Sequence, residues 1–175
     1  MAGAVSERVV EVARLASVRR VTSLAGRIAL MRQMHELGLR DPEIRGLALR
    51  IVRGCPERDD ACELRALFDW YKTNIRYSGD PEGRDTYASP RRTLLEWKAG
   101  DCDEVPVSLG CLVRHNGINV GARVVQTGSE GFDHVYLIAG FPKENPIGYV
   151  ALDPTVATAY PGWEPQHSKQ KDYLW

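Results

Sequence analysis

Apolar positions along the first half of the chain recur every three or four residues, the spacing of a helix with one buried face. Over the first 40 residues the runs are Val5, Val9, Val12 and Ala16, then Val21, Leu24, Ile28, Met31 and His35. Gly26 interrupts them, so the pattern predicts a helical arm over 1–40 that is not one unbroken rod. Its arginines (Arg8, Arg14, Arg19, Arg20, Arg27, Arg32) read first as a solvated face, and alternatively as a surface that docks on a partner chain. Asp41-Pro42 supplies an N-cap acceptor followed by proline at the first helical position. A second helix then buries Ile44, Leu47, Ala48, Ile51 and Val52, and Gly54 and Pro56 stop it. Asp59-Asp60 opens a third, with Leu64, Leu67, Phe68, Tyr71 and Ile75 inward. Cys55 and Cys62 flank the turn between them; oxidised they would pair, and two small buried thiols are the favoured reading.

Residues 78–89 are rich in Gly, Pro and Asp and predict a loop. A short helix follows from Ser89-Pro90 to Gly100. The next begins at or just after Cys102, runs to about His115, and buries Val105, Leu109, Leu112 and Val113. Pro106 is tolerated only because it lies so near that start. Beyond Asn116-Gly117 the period changes. Ile118–Gln126, Phe132–Ala139 and Tyr149–Leu152 carry the β-branched or alternating patterns of strands. Helices come first and strands after, which predicts an α+β fold with an antiparallel sheet. Three parts are expected: a helical arm over 1–40, a core over 41–160 and an irregular tail over 161–175.

Composition narrows the function. The chain of 175 residues has 23 Lys+Arg against 23 Asp+Glu, a formal net charge of zero, so nothing in bulk charge favours nucleic acid or an anionic membrane. No apolar run reaches the ~18 residues of a membrane span. Glu7, Arg8, Glu11 and Arg14 break any signal-peptide core, which leads to the expectation of a cytoplasm-like compartment with its four cysteines reduced.

Three residues stand out as candidate chemistry. Cys102 follows Gly100-Asp101 at the predicted helix start, where free N–H groups and the positive end of the helix dipole are expected to lower the thiol pKa. Its acidic neighbours Asp101, Asp103 and Glu104 oppose this unless they point elsewhere, which is the expectation. His134 lies in the second strand and Asp153 ends the third. If those strands are neighbours, Asp153 can hold one imidazole nitrogen while the other faces the sulfur, a Cys-His-Asp arrangement for nucleophilic acyl transfer. Taken singly, each residue is more often inert: a structural thiol, a satisfied strand histidine, a turn-forming Asp-Pro-Thr. A zinc site of the same three residues is a weaker alternative, since no CxxC or HExxH pair accompanies them. No cofactor or metal is expected.

The three segments Gly100-Asp101-Cys102-Asp103-Glu104, Phe132-Asp133-His134-Val135-Tyr136 and Ala151-Leu152-Asp153-Pro154-Thr155, in that order, resemble the transglutaminase-like superfamily, relatives of papain-like proteases. The resemblance spans roughly Ala61 to Thr155. It implies Cys102 as nucleophile with its backbone N–H as an oxyanion donor, His134 as base and Asp153 as orienter. The second oxyanion donor is unassigned; Tyr87 and Trp97 lie upstream, Trp97 reading rather as a wall of the cleft. Residues 55–60 and 161–165 bring the chain nearest in look to small transglutaminase-like proteins of tailed phages and prophages. The implied function is thiol-dependent hydrolysis or transfer at an amide of a peptide or protein substrate. The alternative is a non-enzymatic structural part, for example of a virion, with the helical arm as attachment element.

Overall fold

The computed structural model describes residues 23–80, 86–128 and 131–175. The first part of the predicted arm, residues 1–22, lies outside them. Helix α1 (Leu24–Gly38) starts where Ser23 accepts a hydrogen bond from the Gly26 N–H. Helix α2 (Pro42–Ile51) starts at Asp41, whose carboxylate accepts from the Glu43 N–H, and α3 (Asp60–Asn74) at Asp59, which caps Cys62. Both are the starts the sequence predicts, because a short acceptor side chain at each satisfies an otherwise orphaned N–H.

The helix after Cys102, α4, opens with wide π-type turns at Val105–Leu109 and continues as Gly110–His115. Val105 through Val113 contains no charged residue, and every position in it is buried. A helix apolar on all sides belongs in the middle of a domain, and α4 sits there, with α1, α2, α3 and the sheet around it. Its one hydroxyl, Ser108, is satisfied by the Glu104 carbonyl at 2.7 Å and by Tyr71 Oη at 2.9 Å.

Strands β1 (Arg76–Tyr77) and β2 (Ala99–Gly100) form a small parallel pair beside the site. The main sheet runs β5-β4-β3-β6, all antiparallel, with β3 Val120–Gln126, β4 His134–Phe141, β5 Gly148–Leu152 and β6 Lys169–Leu174. This is the predicted α+β fold with an antiparallel sheet. One sheet face meets the helices through residues such as Leu137, Ala139 and Leu152.

Two expectations are corrected. The tail over 161–175 is not wholly irregular: β6 pairs with β3 along its length. It was invisible as a pattern because nearly every residue of β6 is exposed, so backbone pairing rather than a buried face holds it. The tail is also strapped to the back of the sheet by Arg123, which binds Asp172 through Nε and Nη2 at 2.7 Å and Glu164 at 3.0 Å, while Tyr136 Oη donates to Glu164 at 2.7 Å. Second, Cys55 and Cys62 are joined in a disulfide rather than left as buried thiols. The turn between α2 and α3 brings their Cα atoms to 5.7 Å, inside the range a disulfide spans.

Candidate active site

The sheet supplies one half of the site. In the β4–β5 ladder Leu137 lies opposite Leu152, so the chain leaves β5 at Asp153 beside the beginning of β4 at His134. His134 Nε2 lies 2.7 Å from Asp153 Oδ2. Asp153 is fully buried, and its other oxygen accepts from the Thr155 hydroxyl at 2.6 Å and backbone N–H at 3.2 Å. Burial alone would raise its pKa; the bonds from His134 and Thr155 outweigh that and hold it below the ordinary carboxylate value. An ionised carboxylate only accepts, so Nε2 carries the hydrogen and the neutral ring keeps its lone pair on Nδ1. That is the tautomer a base toward the sulfur needs.

The helix supplies the other half. Cys102 is half-buried and not in a disulfide. It lines, with His134, a cavity of about 220 Å³. The structure therefore brings Cys102 and His134 to one cavity and bonds His134 to Asp153.

The expected lowering of the thiol pKa is not found. Burial first, then Asp103 and Asp101, push Cys102 up to about 12, against the Val135 N–H that favours the thiolate. Asp101 and Asp103 bear on the sulfur, whereas the Glu104 carboxyl is turned into a reciprocal cap with Asp101. Asp101 Oδ1 accepts from the Asp103 N–H at 2.9 Å, and Glu104 Oε2 accepts from the Asp101 N–H at 2.9 Å. The Glu104 half matches a capping box, Asp-x-x-Glu around Cys102, while Asp101 takes the N–H two residues on instead of three. Of the two, Asp101 also opposes the helix's positive end next to the sulfur.

Glu104, expected from the sequence only as an acidic neighbour that points elsewhere, has a structural part here that the Asp101-x-x-Glu104 spacing signals. It is buried, its other oxygen accepts from the Ala88 N–H at 2.8 Å, and burial raises it to about 8. It thus ties the loop before Ser89 to the turn that carries Cys102. Gly100 is required by this clamp rather than by the sulfur, since a Cβ there would come within 2.9 Å of Glu104 Cβ. Of the two residues left open upstream, Tyr87 packs in the apolar cluster that includes Cys102. Trp97 is largely exposed beneath Arg92 and is not part of the cavity wall. Among the described residues, no three His, Cys, Asp or Glu side chains converge as metal ligands, and no helix is long and apolar enough to cross a membrane.

Comparison with known proteins agrees with the fold. The sequence profile of the transglutaminase-like superfamily matches residues 45–154, more than half of the chain and all three candidate residues. No curated protein matches. Among solved structures, the chain is similar to a candidate cysteine protease from Cytophaga hutchinsonii, with 15% identity, a TM-score of 0.49, and coverage of 77% of this chain and 50% of that one. It is also similar to a TGase at 14% identity and a TM-score of 0.44, covering 94% of this chain and 40% of that one. The chain thus spans half or less of the length of these two structures. By the profile match, the chain belongs to the transglutaminase-like superfamily.

Proposed function

We propose that this transglutaminase-like chain performs thiol-dependent acyl chemistry on an amide of a peptide or protein, with Cys102 as nucleophile, His134 as base and Asp153 as its orienter. The observation that carries the reading is the 2.7 Å bond between His134 and the fully buried Asp153 on a cavity that Cys102 shares.

The resting sulfur is a thiol, because burial and two carboxylates hold its proton on. Its activation therefore falls to His134. As the sulfur attacks the amide carbonyl, Nδ1 takes the thiol proton, and Asp153 stabilises the imidazolium that results. The tetrahedral oxyanion takes a hydrogen bond from the Cys102 N–H, the donor that the family pattern implies. Collapse breaks the C–N bond, and His134 returns its proton to the departing amine or ammonia. The thioester is then attacked by water, giving an acid, or by a primary amine, giving a new amide; His134 takes the attacking proton and returns it to the sulfur. Hydrolysis is favoured over transfer. Water is always present, and transfer needs a second site that holds an amine and excludes water.

The likeness to small proteins of tailed phages and prophages supports a phage setting, in the host cytoplasm or on the virion, with the N-terminal arm as attachment element. Cys102→Ala tests the chemistry. Release of ammonia or amine from glutamine-containing peptides, with and without added primary amine, is expected to vanish while the melting temperature stays within a few degrees. Retained turnover in the variant overturns the assignment. A wild-type protein inert towards every amide, with a Cys102 no more reactive than an ordinary thiol, would leave the structural-component reading in its place.

A further inference from the structure

Helix α1 lies outside the residues matched by the family profile, yet Leu24, Ile28 and Met31 line the cavity that holds Cys102 and His134, opposite Val124 and Val135 of the sheet. We propose that α1 is a specificity wall, built on to the family core, that selects a substrate with an apolar side chain of leucine-to-phenylalanine size on the acyl side of the reacting amide. The inference rests on Cys102 being the nucleophile.

Three observations carry it. First, the wall is fixed to the helix behind the nucleophile. His35 Nδ1 of α1 lies 3.3 Å from the Val107 carbonyl and 3.6 Å from Cys111 Sγ on α4. Gly38 packs so closely that an added Cβ would sit 2.6 Å from Pro90 and 2.7 Å from the Cys111 sulfur. Second, the size suits such a side chain. A cavity of about 150 Å³ holds a benzene ring, and this one is about 220 Å³. The hollow on the other side of Gly100 and Asp101, between Tyr77 and Thr155, measures about 20 Å³, room for about one water. Cys102 is itself part of the larger wall, so the group joined to the sulfur is the group that must find space there.

Third, three of the four carboxylates that line the cavity have other work. Asp133 accepts from the N–H groups of Thr127 and Gly128, Asp80 from that of Thr86, and Asp101 from that of Asp103. Their oxygens are held by the protein's own backbone, so a substrate side chain meets the half-buried Leu24 at the mouth, with Arg27 and Asp103 beside it, above a closely packed floor of Ile28, Met31, Val124 and Val135. Burying a benzyl group there favours it over hydrogen at the same position by the ordinary hydrophobic gain.

The test uses two reagents with one warhead, N-acetyl-phenylalanyl and N-acetyl-glycyl chloromethyl ketone, on the full chain, with the site of alkylation mapped by mass. Wild type is expected to react at Cys102 at least tenfold faster with the phenylalanyl reagent. Leu24 is half-buried in the first turn of α1, so Leu24→Trp fills the cavity from its mouth and is expected to cut that ratio tenfold. A ratio near one in wild type, or one that Leu24→Trp leaves unchanged, overturns the inference while the nucleophile assignment stands. If Leu24→Trp does not fold, Leu24→Ala decides. It must shift preference at least threefold towards a naphthylalanyl reagent, and an unmoved order of preference overturns the wall. Failure of both reagents to label Cys102 sinks the nucleophile assignment first, and the wall with it.

Discussion

Two cysteines near α4 are each associated with a histidine, one by direct contact and one by sharing a cavity. At Cys111 the histidine is His35. Both are buried, the sulfur donates to the His35 carbonyl at 3.4 Å, and Nδ1 lies 3.6 Å away. That same nitrogen faces the Val107 carbonyl at 3.3 Å, so its hydrogen is committed there and no lone pair is left for the thiol. At Cys102 the histidine is His134. A carboxylate takes the hydrogen of Nε2 and leaves Nδ1 as acceptor, and a cavity gives access. Burial holds both thiols protonated. Direct contact between Cys and His is therefore not what marks the candidate site. The partner of the other ring nitrogen and the way in from solvent are.

The sharpest way to break this contrast is alkylation of the native protein by iodoacetamide at neutral pH. Cys102 is expected to react about 100-fold faster than Cys111 or more, because Cys111 must wait for local opening of the core. Equal rates by peptide mapping would erase the distinction. Next, His134→Ala is expected to slow labelling of Cys102 at pH 7 by tenfold or more, within the span of general-base effects, with a smaller loss in Asp153→Asn; an unchanged rate means that the imidazole and the sulfur are uncoupled.

A separate effect is on stability and belongs to His35. Burial lowers its pKa from 6.5 to about 4. Between those values the unfolded chain binds a proton that the folded chain refuses, so stability falls as pH drops from about 6.5 to 4, by at most about 3 kcal/mol. His35→Gln is expected to flatten that part of the profile in urea titrations at pH 7 and 4.5. Asp153 acts in a lower window. Its depressed pKa adds stability above about pH 4 that is lost on further acidification. A wild-type profile flat between pH 6.5 and 4 would show that His35 is not buried as described.

Much of this was written in the sequence. Asp41 and Asp59 mark helix starts because a cap is a local matter, decided within three residues. The strands of the sheet show their β-branched runs, and the three candidate residues announce themselves through neighbours in the chain. What stayed hidden depends on contacts made at a distance. The pKa of Cys102 is a sum over burial and charges that only folding assembles, and burial, with Asp103 and Asp101 behind it, reverses the sign expected from a bare helix end. Leu24, Ile28 and Met31 read as any helix's inward face; that they face the candidate nucleophile is a property of packing. Strand β6 hides because Lys169–Leu174 has almost no buried side to betray it.

That last strand and the Arg123 cluster carry a lesson about boundaries. The stretch shared with relatives stops at residue 154, but the folding unit does not. Cut there, β3 would lose its outer neighbour and present bare backbone to any passing strand, and a guanidinium now 12% exposed would shed both its carboxylates. What evolution repeats and what thermodynamics requires are, in this molecule, two different lengths of chain.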